Sequence, residues 1–157
     1  MKSYMTVVTL DMQIKCMKFA NETYKKHRKN NRSNSTIKKN IFIGKIAEVA
    51  YHNIFYESIT SINFEDGNDS GWDFVDNNGI KIDVKSIDAD YKDRVYFNFD
   101  NMVSDEYALI SVDTKTFVCT YLGKCTCEYA RKNSKWDDSY KSNYLTRRDF
   151  KNDDNGK

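Results

Sequence analysis

The chain has 157 residues, 31% of them charged, and a formal net charge of +2. This length allows one hydrophobic core but not two, which predicts a single domain over residues 1–150 and a frayed tail over 151–157. No apolar run approaches the roughly 20 residues that cross a bilayer. No signal peptide is recognisable either, so the sequence argues against a membrane protein and predicts a cytoplasmic one.

Residue usage adds two expectations about cellular context. The four cysteines are Cys16, Cys119, Cys125 and Cys127. They are expected to be reduced thiols, and Cys125-Thr-Cys127 is too tightly spaced for an ordinary zinc pair. The absence of proline and the abundance of Asn, Lys, Ile and Tyr are typical of AT-rich coding sequences, common in low-GC bacteria and their phages. For a phage-encoded chain, the cytoplasm in question is that of the host.

Two helices are predicted in the first third of the chain, separated by a polar loop at Asn30–Thr36. The first spans residues 9–28 and the second residues 40–57, with Asn40 as the expected N-cap. Apolar residues recur at helical spacing in the first helix at Leu10, Ile14, Met17 and Tyr24. Those of the second helix form one stripe, Ile43, Ile46, Ala47, Ala50 and Ile54.

Positive charge is concentrated in one segment. Between Tyr24 and Lys39 the chain carries seven cations and no acid, at Lys25, Lys26, Arg28, Lys29, Arg32, Lys38 and Lys39. Such a run is suited to binding a phosphate backbone; the alternative is a solvated helix end and loop. From Glu57 to Asp76 the balance reverses to six acids with no Lys or Arg, which suits a bound cation.

The middle of the chain is predicted to be β-structure, beginning with a hairpin around an Asn-Asn-Gly turn. The predicted segments are strands at 72–75, 80–86, 107–113 and 117–123, a strand through Val95, Phe97 and Phe99, and a short helix at 127–132. Helices that lead into a mostly antiparallel sheet indicate an α/β fold, α+β by sequence order.

Two independent signals set the register of this hairpin. If Asn77-Asn78-Gly79 is a three-residue turn with its glycine in the left-handed conformation, Asp73 faces Asp83. This register sorts the flanking residues into an apolar face, Trp72, Phe74, Ile82 and Val84, and a charged face, Asp73, Asp83 and Lys85. A two-residue Asn-Gly turn would mix core with charge, so the hydrophobic pattern selects the first register.

The two opposed carboxylates carry the chemistry. Like charges directly opposite each other destabilise a sheet unless something neutralises them, and hard oxygen ligands suit Mg²⁺, for which Mn²⁺ is expected to substitute. Lys85 lies two residues after Asp83 on the same face, where its ammonium can reach a phosphate oxygen or an attacking water. A metal ion and a positive charge are what phosphodiester hydrolysis requires.

Glu48 adds a third carboxylate, on the polar side of the second helix beside Gly44, Lys45 and His52. Gly44 would leave space for a ligand, and His52 could hydrogen-bond a ligand or phosphate. The alternative is an ordinary solvent-facing glutamate. Asp-x-Lys recurs at Asp90 and Asp113, but the first of these lies in a polar loop and the second enters a turn, where Asp commonly binds backbone amides.

The order of these motifs resembles the PD-(D/E)XK, or restriction-endonuclease-like, nuclease superfamily. The matching segments are GKIAEVA (44–50), SGWDF (70–74) and IDVKS (82–86). The resemblance implies a central mixed sheet flanked by helices. It also implies Mg²⁺ bound by Asp73, Asp83 and the Val84 carbonyl, with Glu48 as a further ligand, and Lys85 orienting or activating the attacking water. Trp72 stands where the name-giving proline would be, a position that varies within the superfamily.

The expected function is therefore that of a Mg²⁺-dependent nuclease, most simply a DNA endonuclease. The basic run would grip the nucleic acid, and a homodimer is an alternative to a monomer because two strands need two sites. Three other interpretations stay open: a non-catalytic nucleic-acid-binding module, an RNA nuclease or junction resolvase with the same site, and an interaction protein that inhibits a host factor.

Overall fold

A computed structural model describes residues 4–26, 34–65, 71–90, 93–101 and 103–150. Within these ranges the chain forms three helices and eight strands, together with short 3-10 turns at Phe99–Asn101 and Arg147–Asp149. In chain order they are β1 (Met5–Val7), α1 (Leu10–Lys26), α2 (Asn34–Phe55), β2 (Phe74–Val75), β3 (Lys81–Asp88), β4 (Arg94–Phe97), β5 (Glu106–Val112), β6 (Val118–Thr126), α3 (Cys127–Asn133), β7 (Lys135–Asp137) and β8 (Ser142–Thr146).

The strands form two sheets. The larger has the order β1-β6-β5-β3-β2, in which β3 and β5 run parallel and the other neighbours run antiparallel. The smaller is antiparallel, in the order β4-β8-β7. The molecule is thus a mixed α+β structure with a mixed sheet, as predicted. The smaller sheet was not anticipated.

Each face of the larger sheet covers its own core. On one face, Ile46, Ala47 and Ala50 of α2 pack against Val84 of β3 and Ile110 of β5. On the other face, residues of β3 and β5 pack against the smaller sheet and α3, through Ile87, Tyr107, Leu109, Val95, Phe97, Leu145 and Ala130. Strand β5 is buried along almost its whole length because it lies between these two layers.

The predicted hairpin register is confirmed for Phe74 and Ile82, but the ladder does not extend to the predicted Asp73–Asp83 pair. Phe74 pairs with Ile82 and Val75 with Lys81, and Gly79 has φ of +81°, the left-handed conformation that the three-residue turn requires. The turn is fixed by Asp76, whose Oδ1 accepts hydrogen bonds from the backbone N–H groups of Asn78 (2.8 Å) and Ile80 (2.9 Å).

Trp72 departs from the predicted face. It lies outside strand β2 and is half-buried, with Lys81 Nζ 4.3 Å from its ring centroid. The reason is that regular pairing ends at Asp73, whose N–H donates to the Ile82 carbonyl (2.8 Å) instead of continuing the alternation toward Trp72. The predicted strand at 72–75 is therefore two residues shorter than expected.

The helix predictions need two corrections. Helix α2 begins at Asn34, so Asn40 lies inside the helix and is not its N-cap, and residues 34–36 of the predicted loop are helical. In α1 the buried residues are Cys16, Ala20 and Tyr24, whereas Leu10, Ile14 and Met17 are 68%, 59% and 45% exposed. Of the four predicted apolar positions only Tyr24 is buried, and the small residues Cys16 and Ala20 complete the buried side of α1.

Two further findings bear on the sequence expectations. All four cysteines are free; Cys16, Cys119 and Cys125 are buried, and burial raises the pKa of each of these three thiols to about 12. Among the described residues, no helix is both long enough and apolar enough to cross a membrane.

Candidate functional site

Asp73 immediately precedes strand β2, at the end of the hairpin that is farther from the turn. Its Oδ2 accepts a hydrogen bond of 2.7 Å from the backbone N–H of Val84 on β3, at a position where a longer β2 would have continued the ladder. Because β2 is short, its ladder with β3 does not reach Val84, and the Asp73 carboxylate accepts the Val84 N–H bond instead. This is a local consequence of the turn register, which brings Asp73 alongside the Asp83–Val84 peptide.

Asp83 and Lys85 lie on one face of β3, as predicted from their spacing. Lys85 Nζ is 2.8 Å from Asp83 Oδ2, and the two side chains are 30% and 23% exposed. The same ammonium lies 5.9 Å and 5.7 Å from the ring centroids of Phe97 and Tyr107, which belong to the core between the sheets. The lysine is thus held by a carboxylate and two aromatic rings, and its side chain is only partly buried.

Glu48 reaches the same region from α2 and is 17% exposed on its side chain, so it is not an ordinary solvent-facing residue. It forms an ion pair with Lys45, three residues earlier on the helix. Lys45 is buried, donates to the Asn63 carbonyl (2.8 Å) and lies 4.3 Å from the Phe19 ring centroid. Lys45 was expected beside Glu48 but was assigned no role. The i,i+3 spacing of the two opposite charges could have predicted their ion pair.

The three carboxylates act on one another electrostatically. Burial raises the pKa of Asp73 well above its ordinary value, and the charges of Glu48 and Asp83 raise it further, against the Val84 N–H and Lys45, which lower it. Burial also raises the pKa of Glu48; Lys45 opposes this shift and Asp83 adds to it. Side chains from α2, from the end of β2 and from β3 therefore share one electrostatic environment.

The surroundings of Glu48 partly match the sequence expectation. Gly44 has no atom within 4 Å of the position that a Cβ would occupy, so the space expected beside the helix exists. His52 is half-buried and its ring stacks on Phe74, with centroids 6.2 Å apart and an interplanar angle of 29°. His52 therefore packs against β2, the strand that directly follows Asp73.

The predicted basic run is described only in part. Lys25 and Lys26 are exposed at the end of α1, Lys39 is exposed on α2, and Lys38 Nζ lies 4.8 Å from the Tyr24 ring centroid. Arg28, Lys29 and Arg32 lie outside the described residues, so the geometry of the whole run is left as a prediction.

The other Asp-x-Lys pair that the structure describes has the structural role expected of it. Asp113 Oδ1 accepts hydrogen bonds from the backbone N–H groups of Lys115 (2.8 Å) and Thr116 (3.3 Å), and these bonds lower the Asp113 pKa. The partner of Asp90 in the remaining pair, Lys92, is outside the described residues.

The donor set determines what the site could hold. Within the described ranges, no three His, Cys, Asp or Glu side chains are arranged as a ready-made metal cage. Each carboxylate has a partner in the protein: Lys45 for Glu48, Lys85 for Asp83 and the Val84 N–H for Asp73. Mg²⁺ commonly binds through only one or two carboxylates and retains several waters, so Asp73 and Asp83 fit it as a partial ligand set.

Comparison with protein-family models gives no match for this chain, and no curated protein is significantly similar to it. The functional interpretation therefore depends on the geometry and electrostatics of the site.

Proposed function

We propose that this chain is a Mg²⁺-dependent nuclease with a restriction-endonuclease-like, PD-(D/E)XK-type fold and site. The observation that carries the proposal is the meeting of three carboxylates, Glu48, Asp73 and Asp83, in which burial and then mutual repulsion raise the Asp73 pKa, with Lys85 alongside. A partly buried cluster of like charges lowers stability unless a cation neutralises it, which is a reason to expect functional use.

Asp73 and Asp83 would hold the ion, with Glu48 and the Val84 carbonyl as further ligands. When bound, Mg²⁺ lowers the pKa of water and neutralises phosphate charge. The Lys85 ammonium would hold a non-bridging phosphate oxygen or orient the attacking water, since it is already fixed by Asp83 and by the rings of Phe97 and Tyr107. Lys45 would oppose the rise in the Glu48 pKa that burial causes.

DNA cleaved internally is the substrate that we propose first, because the cations of the N-terminal segment could contact its phosphate backbone. An RNA nuclease or a junction resolvase would use the same residues in the same roles. The protein would act in the cytoplasm, of the host if it is phage-encoded, either as a monomer or as a homodimer.

Plasmid cleavage with Mg²⁺ or Mn²⁺ tests this function. We expect Lys85→Ala to lower the cleavage rate by about 10²- to 10³-fold, the usual loss when one group that stabilises transition-state charge is removed. EDTA should abolish cleavage. If the purified protein with either metal leaves single- and double-stranded DNA and RNA intact, the proposal is wrong.

Lys124→Ala is the matched control. Lys124 on β6 forms a 2.9 Å ion pair with Glu106, and the side chains are 31% and 19% exposed, nearly the same as in the Lys85–Asp83 pair. It is separated from β3 by strand β5 and is not part of the carboxylate cluster. Cleavage by Lys124→Ala should stay within about twofold of wild type, since loss of a surface ion pair costs little.

A non-catalytic nucleic-acid-binding module is the second candidate. It is favoured by one observation, that the three carboxylates already have partners within the protein. It predicts salt-dependent binding with no metal requirement that survives Asp83→Asn, and no cleavage under any condition. The same assay, read with the Asp83→Asn variant, separates the two candidates.

A further inference from the structure

A long groove begins at the candidate site and ends at the smaller sheet. Val84 and Lys85 line it on β3, Lys39 lines it on α2, and Trp136 and Tyr140 line it at the β7–β8 hairpin. Its volume is about 1420 Å³. Pockets for drug-sized molecules enclose roughly 300–1,000 Å³, so this groove is larger than one small ligand requires. Because it passes the Lys85 side chain, an occupant would also lie against the candidate site.

The far end of the groove presents aromatic rings to solvent. Trp136 is 57% exposed and Tyr140 is 65% exposed, although large aromatic side chains are usually mostly buried. Neither ring is loosely held: the Trp136 indole N–H donates to Asp138 Oδ1 (2.9 Å), and the Tyr140 ring lies 5.0 Å from the Tyr96 ring. Fixed, exposed rings are suited to stacking on a flat partner.

Charge along the groove is nearly balanced. The lining includes four cations, Lys39, Lys85, Arg94 and Lys141, and three carboxylates, Asp88, Asp93 and Asp100. The cations can contact a few phosphates of a single strand or of a duplex. The aromatic rings are therefore what would distinguish a single strand from a duplex.

Base stacking on Trp136 requires a base whose face is uncovered. In a duplex both faces of each base are covered by its neighbours, whereas an unpaired base can lie on an aromatic ring whatever its identity. From the size, the exposed rings and the four lining cations, we infer that this groove binds a single-stranded nucleic-acid segment and feeds it to the Lys85 site. The inference rests on the proposed nuclease function for the role of that site, but not for the binding itself.

Equilibrium binding of fluorescent oligonucleotides tests the inference without any cleavage. Single-stranded DNA, single-stranded RNA and duplex DNA would be compared in EDTA, and again with Ca²⁺ in place of Mg²⁺. We expect at least tenfold tighter binding of one or both single strands than of the duplex. Trp136→Ala should weaken single-strand binding by about tenfold or more, the usual effect of removing one stacked ring.

Two variants sharpen the test. Trp136→Phe keeps a ring in place and should bind within a few-fold of wild type, while Trp72→Phe changes the other tryptophan of the chain, which is not among the groove-lining residues, and should bind like wild type. Intrinsic fluorescence should be quenched by single strands in Trp72→Phe but not in Trp136→Phe. Trp136 is exposed, so we expect Trp136→Ala and Trp136→Phe to fold, and Trp72→Phe keeps a ring at a half-buried position. Melting temperatures of all three variants would verify that they fold.

Equal binding of duplex and single strand, unchanged binding by Trp136→Ala, or no binding of any oligonucleotide would overturn the inference. These failures are distinct from failure of the nuclease proposal. A protein that cuts duplex DNA with Mg²⁺ regardless of Trp136 retains the function and loses the groove. A protein that binds single strands through Trp136 but cleaves nothing retains the groove and loses the function.

Discussion

The two sheets of this protein differ in how completely their faces are buried. The larger sheet is covered on both faces, and strand β5 at its centre is almost wholly buried. The smaller sheet is buried on the face that carries Val95, Phe97 and Leu145, yet it leaves Trp136 and Tyr140 largely exposed. In the proposed function and groove, the larger sheet would hold the charged groups of the site and the smaller sheet would offer rings to a nucleic-acid strand.

Each sheet also has a feature that lowers stability or contributes little to it. In the larger sheet it is electrostatic, because burial and neighbouring carboxylates raise the pKa of Asp73. In the smaller sheet it is hydrophobic, because exposed aromatic surface gains little from folding. Both are features that a protein selected for stability alone would lack.

The largest expected effect tests whether the two sheets are one cooperative unit. Ile110 lies under the helices and Leu145 lies between the sheets, at 0% and 1% exposure. We expect Ile110→Ala and Leu145→Ala each to lower the free energy of unfolding by about 2–5 kcal/mol, and each variant to unfold in one transition. Urea denaturation followed by circular dichroism and fluorescence measures both quantities. A two-step unfolding of Leu145→Ala would show that the smaller sheet is a separate unit.

A smaller effect of opposite sign is expected at the carboxylate cluster. The pKa of Asp73 is raised in the folded state, so its ionisation lowers stability at pH 7; this cost is complete above the folded pKa, decreases as the pH falls below it, and is gone below the ordinary Asp pKa of about 3.9. Without metal, Asp73→Asn should therefore raise the free energy of unfolding by about 1 kcal/mol or more, because the amide can still accept the Val84 N–H bond. The gain should shrink on acidification.

Asp113→Asn and added Mg²⁺ provide the controls for that variant. The Asp113 pKa is lowered, so this substitution should reduce stability at pH 7 where Asp73→Asn increases it. Mg²⁺ at a hundred times its dissociation constant should stabilise the wild type by about 2.7 kcal/mol, and Asp73→Asn by less. Thermal melts in EDTA and in Mg²⁺ measure both. Equal stabilisation of the two proteins would place the ion elsewhere.

The smallest expected effect concerns the outer face of the smaller sheet. The Tyr96 hydroxyl, donating to Asp137 Oδ2 at 2.9 Å, lowers the Asp137 pKa, and backbone N–H groups and Arg94 add to this. The resulting stability is present above the ordinary Asp pKa of about 3.9 and is lost as the pH falls through the lower folded value.

Asp137→Asn should therefore lower the melting temperature slightly at pH 7 and have less effect near pH 2. The effect is expected to be small because the partner Arg94 has a side chain that is 51% exposed. Melting temperatures between pH 7 and pH 2 check this, with Asp138→Asn as the control. A loss as large as that of Leu145→Ala would mean that the outer face is more important to stability than the buried one.

The candidate site was predictable where local rules apply. The Asn-Asn-Gly turn fixes the register of Phe74 with Ile82, and period-two alternation then places Asp83 and Lys85 on one face. Local rules failed at Trp72, which lies outside strand β2, and in α1, where only Tyr24 of the four predicted apolar positions is buried. They also gave no role to Lys45, whose burial depends on Asn63 and Phe19.

By itself, the sequence determined helices α1 to α3, strands β2 to β6, the hairpin register and the three acids and one lysine proposed for the site; strands β1, β7 and β8 were not anticipated. These depend on turn chemistry and on short-range spacing, which a single segment carries. Only the tertiary structure decided that Glu48 shares an electrostatic environment with Asp73 and Asp83, that Lys45 is buried beside it, and that a groove connects Lys85 to Trp136. Those relations join segments that are far apart in the chain, and only packing between layers brings such segments together.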